Sequence, residues 1–338
     1  MRILVTAIGS MSAECVIASL RAAGHEVVGT DCHPAAYNPI AASCSAFLRM
    51  PRAPDDPDGF CASLCACAVA QRVVAVVPLT DPEIDVLSPR RARFEENGIS
   101  LWIANDLAVR KARDKRLWSA ALAGSRNFRT IPTYGSLAEL KSNRPGEFVA
   151  KRANGRSSEG IVFAHTETCG PLAACREGYI FQPRVAGDVV TVDFARHPKS
   201  HAVVAVARKE LLRTKNGAGT VVEILSDDRY RQAVDELASD LDLTGAMNAE
   251  FIEDEGGVLH LMDINPRFSA GVSFSMMAGY DFAGADVDCF CADDIQPSPE
   301  IPGGSVFVKR FCDFRSNSPG QGECACGNQV PRKGGSNA

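Results

Sequence analysis

His260-Leu261-Met262-Asp263-Ile264-Asn265-Pro266-Arg267-Phe268 reads as a strand whose polar members stand two residues apart. In a strand, side chains at i, i+2 and i+4 leave the same face, so Asp263, Asn265 and Arg267 project together. A carboxylate and an amide oxygen at that spacing are hard oxygen ligands of the kind Mg²⁺ accepts beside phosphate oxygens. Arg267 continues the row and can stabilise charge on a transferring phosphoryl group. Upstream, Asn248-Ala249-Glu250 lies on a strand that can pair back through Glu255-Gly256-Gly257, which offers Glu250 as a second carboxylate. The plain alternative is an edge strand with a solvated polar face. A row of Asp, Asn and Arg among Leu261, Met262 and Ile264 is costly if buried without partners, and spacing alone leaves both readings open.

Working outward, residues 106–311 carry clustered strands with a few helices. Residues 106–123 read as helical, and 146–151, 160–164, 179–183, 189–196 and 202–208 as strands. A helix is expected over 229–241, before strands at 247–252 and 258–264. This pattern predicts α+β subdomains, a small one over about 125–184 and a larger one over about 185–311. The first 105 residues differ. Apolar runs at 2–6, 25–30, 73–77 and 99–103 alternate with helical stretches, and Gly24 stands where a helix C′ residue belongs. That alternation predicts an α/β, doubly wound parallel sheet. Residues 312–338 are rich in Gly, Ser, Asn, Pro and Cys, so a disordered tail is expected there.

The chain has 338 residues, 46% of them hydrophobic and 23% charged, values of an ordinary soluble protein. A net charge of -5 gives no general pull toward nucleic acid or anionic membrane. The N-terminus lacks the pattern of a secretory signal, and no apolar run approaches a membrane span. The expectation is a cytoplasmic protein with neither nucleic-acid nor membrane partners. Thirteen cysteines without an export signal read as reduced, mostly buried thiols, and their C-x-C spacings fit zinc poorly.

The N-terminal unit invites a dinucleotide reading, with Asp31 at the end of the second strand to hold a ribose hydroxyl. The loop argues against it. The three glycine positions of the fingerprint fall on Ala7, Gly9 and Ser12, so the backbone cannot approach a pyrophosphate closely.

Asp263-Ile264-Asn265-Pro266-Arg267 resembles the E-x-N-P-R signature of the ATP-grasp superfamily, with Asp263 in place of the glutamate. Lys151-Arg152-Ala153-Asn154-Gly155-Arg156-Ser157-Ser158-Glu159-Gly160-Ile161 is similar to the phosphate loop of the group related to the large subunit of carbamoyl phosphate synthase. Asp114-Lys115 resembles the pair that opens that group's ATP-binding region. These motifs and Glu250 occur in the family's order across residues 1–311, with the N-terminal unit matching its pre-ATP-grasp domain.

The resemblance implies ATP and Mg²⁺ as cofactors. Lys115 and Lys151 would hold phosphates, and the loop with Gly155, Ser158 and Gly160 would fold over them. Main-chain groups from Gln182 to Val185 would meet adenine, and Asp188 the ribose. Glu250, Asp263 and Asn265 would bind Mg²⁺. Arg267 and Arg208 would stabilise an acyl phosphate made from a carboxylate and then attacked by an amine. A homodimer is also implied. The pattern departs at Arg152, which replaces a loop proline, at Gln182, where an acid is common, and at Asp263.

The substrate is less legible. Ser269-Ala270-Gly271-Val272-Ser273-Phe274-Ser275 is either an acceptor wall or a helix start capped by Ser269 or Ser273. Thr80-Asp81-Pro82-Glu83 stands at the carboxyl end of a strand, where open sheets bind ligands, or is a cap with acids in a first helical turn. A free-standing amino-acid or peptide ligase fits the length better than carbamoyl phosphate synthesis. The rivals are an ATP-dependent carboxylase and a catalytically silent nucleotide-binding relative.

Overall fold

The computed structural model describes residues 1–156, 158–169, 177–316 and 322–324. The N-terminal unit runs β1 (Arg2–Val5), α1 (Ala13–Ala22), β2 (Glu26–Asp31), β3 (Ala46–Arg49), α2 (Pro57–Ala70), β4 (Ala75–Val77), α3 (Asp81–Leu87), α4 (Arg91–Glu95) and β5 (Ser100–Leu101). Its strands pair in the order β3-β2-β1-β4-β5, all parallel. Ile3, Leu4 and Val5 are fully buried between helical layers, as an all-parallel sheet requires. Helix α1 ends before Gly24, whose φ of 81° suits a residue without Cβ. The four-residue edge strand β3 is too short to give a periodic apolar signal. Sheet order reverses between β1 and β4, so the crevice at their carboxyl ends is formed by Thr6–Gly9 and Pro78–Asp81.

Next come α5 (Asp106–Arg113), α6 (Lys115–Ala121), β6 (Arg129–Thr130), α7 (Leu137–Asn143), β7 (Glu147–Arg152), β8 (Val162–His165) and β9 (Tyr179–Pro183). The single helix expected over 106–123 is two. Asp114 takes extended backbone angles, φ -109° and ψ 111°, and its carboxylate accepts the Arg116 amide, so it caps a new helix that begins at Lys115. Strands β8-β7-β9 form a small antiparallel sheet. Phe148, Ala150 and Phe181 pack beneath it against Leu137 and Leu140 of α7. By alternation, Lys151 and Gln182 belong to the opposite face.

The larger sheet contains β10 (Asp188–Arg196), β11 (Val203–Arg213), β12 (Gly219–Leu225), β13 (Gly245–Glu253), β14 (Leu259–Asn265) and β15 (Val306–Val308). Helices α8 (Arg229–Leu241), α9 (Val272–Met277) and α10 (Phe282–Cys291) complete it. Strand order is β15-β12-β11-β10-β13-β14-β6. Two features depart from the sequence reading. Strand β11 runs five residues past Arg208, to Arg213, and β12 pairs with it across the Lys215-Asn216-Gly217 turn. Both were hidden because their alternation is broken by a bulge near Leu212.

One face of this sheet is apolar. Val190, Val192, Ala249, Phe251 and Ile264 pack on Val234, Leu237 and Leu241 of α8. The residues between them face the other way, and there the polar side chains gather. Past β15, Phe314–Ser316 and Gly322–Cys324 pair antiparallel as β16 and β17. The rest of the expected tail, 317–321 and 325–338, lies outside the described residues.

Candidate active site

Register places Glu250 opposite Asp263 and Asn248 opposite Asn265 on β13 and β14. Directly opposed residues share a face, so two carboxylates and two amides meet on the polar side of the sheet. Asn265 Nδ2 donates to Asn248 Oδ1 at 3.1 Å, which leaves its own oxygen directed elsewhere. Arg213 Nη2 lies 2.7 Å from Glu250 Oε2. Burial and the nearby Asp263 and Glu210 carboxylates push the Glu250 pKa up, against the pull of Arg213. Such an oxygen-rich, negatively charged group suits a hard divalent cation.

The cations come from the facing elements. Lys115, the first residue of α6, is buried, and its Nζ lies 2.9 Å from Asp263 Oδ1. The same ammonium donates to the Gly155 carbonyl at 3.2 Å. Lys151 leaves the end of β7 and donates to the Met262 carbonyl at 3.3 Å. That carbonyl is available because a bulge between Leu261 and Asp263 takes Met262 out of the ladder. Burial and the neighbouring Lys115 charge pull Lys151 down to about 8. Because burial disfavours its charge, an incoming anion would restore the Lys151 ammonium.

Lys151 is followed by the loop motif of residues 154–160. Ser158 and Gly160 both hold left-handed angles, φ 54° and 69°. Tyr179 Oη donates to the Gly160 carbonyl at 3.0 Å, and a Cβ on Gly160 would come 2.4 Å from that oxygen. The Gly217 turn approaches from the large sheet, where a Cβ would meet Ser158 Oγ at 2.9 Å. Ser157, named in the loop motif, lies outside the described residues.

Gln182 is buried and its side chain donates to Thr133 Oγ1 at 2.8 Å. Val185 lies in the short connection from β9 to β10. Asp188 begins β10 at the surface and pairs with Lys209 at 2.5 Å.

Two arginines behave unlike free active-site side chains. Arg208 is 1% exposed and is bound by Asp193, Ser275 and Ser269. It ties residues 269–275 to the sheet. That arrangement corrects the serine-cap alternative: the N-cap of α9 is Gly271, without a side-chain cap bond, and Ser269 serves Arg208. Arg267 reaches across to the N-terminal unit, where its Nε and Nη2 meet the two Asp81 oxygens at 2.9 and 2.8 Å. Of the Thr80–Glu83 group, Thr80 and Thr6 both donate to buried Glu83, which burial pushes up to about 7. Asp31 accepts the Gly9 and His33 amides, so the carboxylate that a ribose would need closes its own loop instead. Among the described residues, Asp31, Cys32 and His33 form one group spaced for a metal.

The family described as "ATP-grasp in the biosynthetic pathway with Ter operon" matches residues 176–306, and the PylC-like N-terminal domain family matches residues 3–102. The match assigns residues 176–306 to the ATP-grasp family. No curated protein sequence matches this chain. The chain shares its fold with the biotin carboxylase domain of 2-oxoglutarate carboxylase from Hydrogenobacter thermophilus (TM-score 0.72, 14% identity, covering 90% of this chain and 73% of that one). It also resembles N5-carboxyaminoimidazole synthetase from Staphylococcus aureus (0.70, 12%, 92% and 82%) and an L-amino acid ligase from Bacillus licheniformis (0.63, 14%, 85% and 73%).

Sequence reasoning about the site missed Arg213 and the Arg267–Asp81 pair. Arg213 stands just before a Lys-Asn-Gly turn in an unrecognised extension of β11, and nothing local names Glu250 as its partner. No helix among the described residues is long and apolar enough to cross a membrane.

Proposed function

We propose that this ATP-grasp protein is an ATP-dependent ligase that joins a carboxylate, an amino acid by preference, to an amine through an acyl phosphate. The reading rests on one observation above others: Lys115 and Lys151, from different elements, converge on the strand that carries Asp263 and Asn265, opposite Glu250. In this reading Lys115 and Lys151 neutralise ATP phosphates, and the Gly155–Gly160 loop covers them with backbone N–H groups. Main-chain groups at Gln182 to Val185 receive adenine, and Asp188 turns from Lys209 to the ribose. Glu250, Asp263 and Asn265 would hold Mg²⁺, which would supply charge neutralisation to the phosphates. Arg213 releases Glu250 for that purpose.

The substrate carboxylate oxygen attacks the γ-phosphorus, and the bond to the ADP oxygen breaks. The amine nitrogen then attacks the acyl carbon, phosphate leaves, and the nitrogen loses its proton. Arg267 steadies the charge on the acyl phosphate. Arg208 acts from behind, by fixing Ser269 to Ser275 as the substrate wall. A homodimer is proposed from the family resemblance.

The fold relatives that are carboxylases give a second reading, in which bicarbonate is the carboxylate. One assay separates the two: phosphate release from Mg-ATP with pools of amino acids, with other small carboxylates, and with bicarbonate. Release that follows an amino-acid pool and vanishes in Arg267→Ala supports the ligase. Release driven by bicarbonate alone moves the assignment to a carboxylase. ATP binding without release in every pool favours a silent relative and sinks the ligase.

A further inference from the structure

Arg267 is anchored at its backbone by the ATP-grasp sheet, where Asn248 Nδ2 donates to its carbonyl at 3.0 Å. Its guanidinium, however, is aimed by the other domain. A guanidinium has five N–H groups. Nε and one Nη2 N–H go to Asp81, the second Nη2 N–H to Asn265 Oδ1 at 3.2 Å, and one Nη1 N–H to the Phe268 carbonyl at 2.9 Å. The fifth has no partner among the described residues. Asp81 is 3% exposed and begins α3 at the point where strand order in the N-terminal sheet reverses. It is also 3.5 Å from Arg113, which Asp85 holds through two hydrogen bonds. Burial alone would raise the Asp81 pKa, yet Arg267 and Arg113 outweigh it and keep the carboxyl below its usual range.

The crevice in which open α/β sheets hold ligands is thus entered by an arginine of the neighbouring domain. A carboxylate that grips Nε and Nη2 together fixes the plane of the guanidinium, since the pair is bidentate. We propose that Asp81 is a positioning residue for Arg267, orienting its one uncommitted Nη1 N–H toward the reacting phosphoryl group, so that the N-terminal domain is part of the transfer machinery. This rests on the role of Arg267 in the ligase reading.

The test uses the full chain with Asp81→Asn, Asp81→Glu, Arg267→Lys and the Asp81→Asn/Arg267→Lys double variant. Hydrogen exchange at the Arg267 Nε–Hε group, followed by ¹H–¹⁵N NMR, reports the orientation without any substrate. Exchange is expected to speed up strongly in Asp81→Asn and to stay near wild type in Asp81→Glu. Turnover is expected to fall roughly a hundredfold in Asp81→Asn, with the KM for ATP unmoved and partial recovery in Asp81→Glu. In the Arg267→Lys background Asp81→Asn should cost little more, because both changes remove one interaction. Unchanged Arg267 exchange in Asp81→Asn, or fully additive losses, would overturn the proposal. Should Asp81→Asn fail to fold, Asp81→Ser takes its place: rapid Hε exchange with kcat lost supports the proposal, and slow exchange or an unchanged kcat overturns it. A wild-type chain that releases no phosphate fails the ligase reading alone, and the exchange measurement then settles by itself whether Asp81 fixes Arg267.

Discussion

Lys115 Nζ and Asp263 Oδ1 lie 2.9 Å apart, joining the start of helix α6 to the strand that carries the signature acid. The pair shows how the shorter acid is accommodated. Asp263 lacks one methylene of the usual glutamate, and Lys115 comes to it while also holding the Gly155 carbonyl. If Asp263 holds Mg²⁺ as proposed, Asp263→Asn removes a charge that the ion needs. Phosphate release is expected to drop roughly a hundredfold and to demand more Mg²⁺, whereas Asp263→Glu keeps most activity. A Mg²⁺ titration of both variants checks this, and wild-type turnover in Asp263→Asn at the wild-type Mg²⁺ requirement would remove Asp263 from the metal site.

Lys151 gives a pH prediction. Burial and Lys115 bring it down to about 8, so the free enzyme loses this charge as pH rises through that value. The KM for ATP is expected to climb above about pH 8, and to stay flat in Lys151→Arg, whose guanidinium remains protonated. Stability moves in the opposite direction. Between about 8 and the ordinary lysine value the unfolded chain binds more protons, so folding gains as pH rises. A flat wild-type KM across that range would show that Lys151 does not meet the phosphates.

Residue patterns exposed those parts of the molecule that are local. The end of β2, the Gly24 stop, helix α8 and the Asp263/Asn265 row follow from apolar periodicity and turn chemistry within a few residues. The opposition of Glu250 and Asp263 was also legible, because one tight turn joins their strands. What stayed hidden depends on distant partners. Asp81 and Arg267 are separated by 186 positions, and nothing in either stretch names the other as its partner. The family resemblance alone offered Arg208 as an active-site cation. Its burial under Ser269 and Ser275 comes only from how α9 lies on the sheet. Helix α5 was expected to continue because nothing apolar changes at Asp114; the break is a matter of cap geometry.

The loop offers a steric prediction. Gly160 has φ 69°, and a Cβ there would come 2.4 Å from Tyr179 Oη. Gly160→Ala therefore adds about 1–2 kcal/mol of left-handed strain and displaces the tyrosine that holds the loop carbonyl. The KM for ATP should rise about tenfold or more. Tyr179→Phe loses only the hydrogen bond and should have the smaller effect. If Gly160→Ala binds ATP as tightly as wild type, the loop does not close on the nucleotide in this conformation.

Asp286 supplies a test of stability apart from the chemistry. It is buried on α10, and its one described hydrogen bond is from the Ala246 amide at 2.8 Å. Burial raises its pKa to about 7, partly opposed by that amide. The folded carboxyl is therefore the stronger proton binder. Below about pH 4 both states are protonated and no penalty exists. As pH rises to about 7 the unfolded chain ionises first, and stability falls. Glu83, also raised to about 7, adds a slope of the same sign. In Asp286→Asn the amide oxygen can still accept from Ala246 and no proton is lost. The difference in unfolding free energy between about pH 5 and pH 8 should then shrink by on the order of 2 kcal/mol. Urea unfolding at the two pH values measures it. An unchanged difference would mean that Asp286 is solvated enough to ionise normally, and that the contact between α10 and the start of β13 is looser than its hydrogen bond implies.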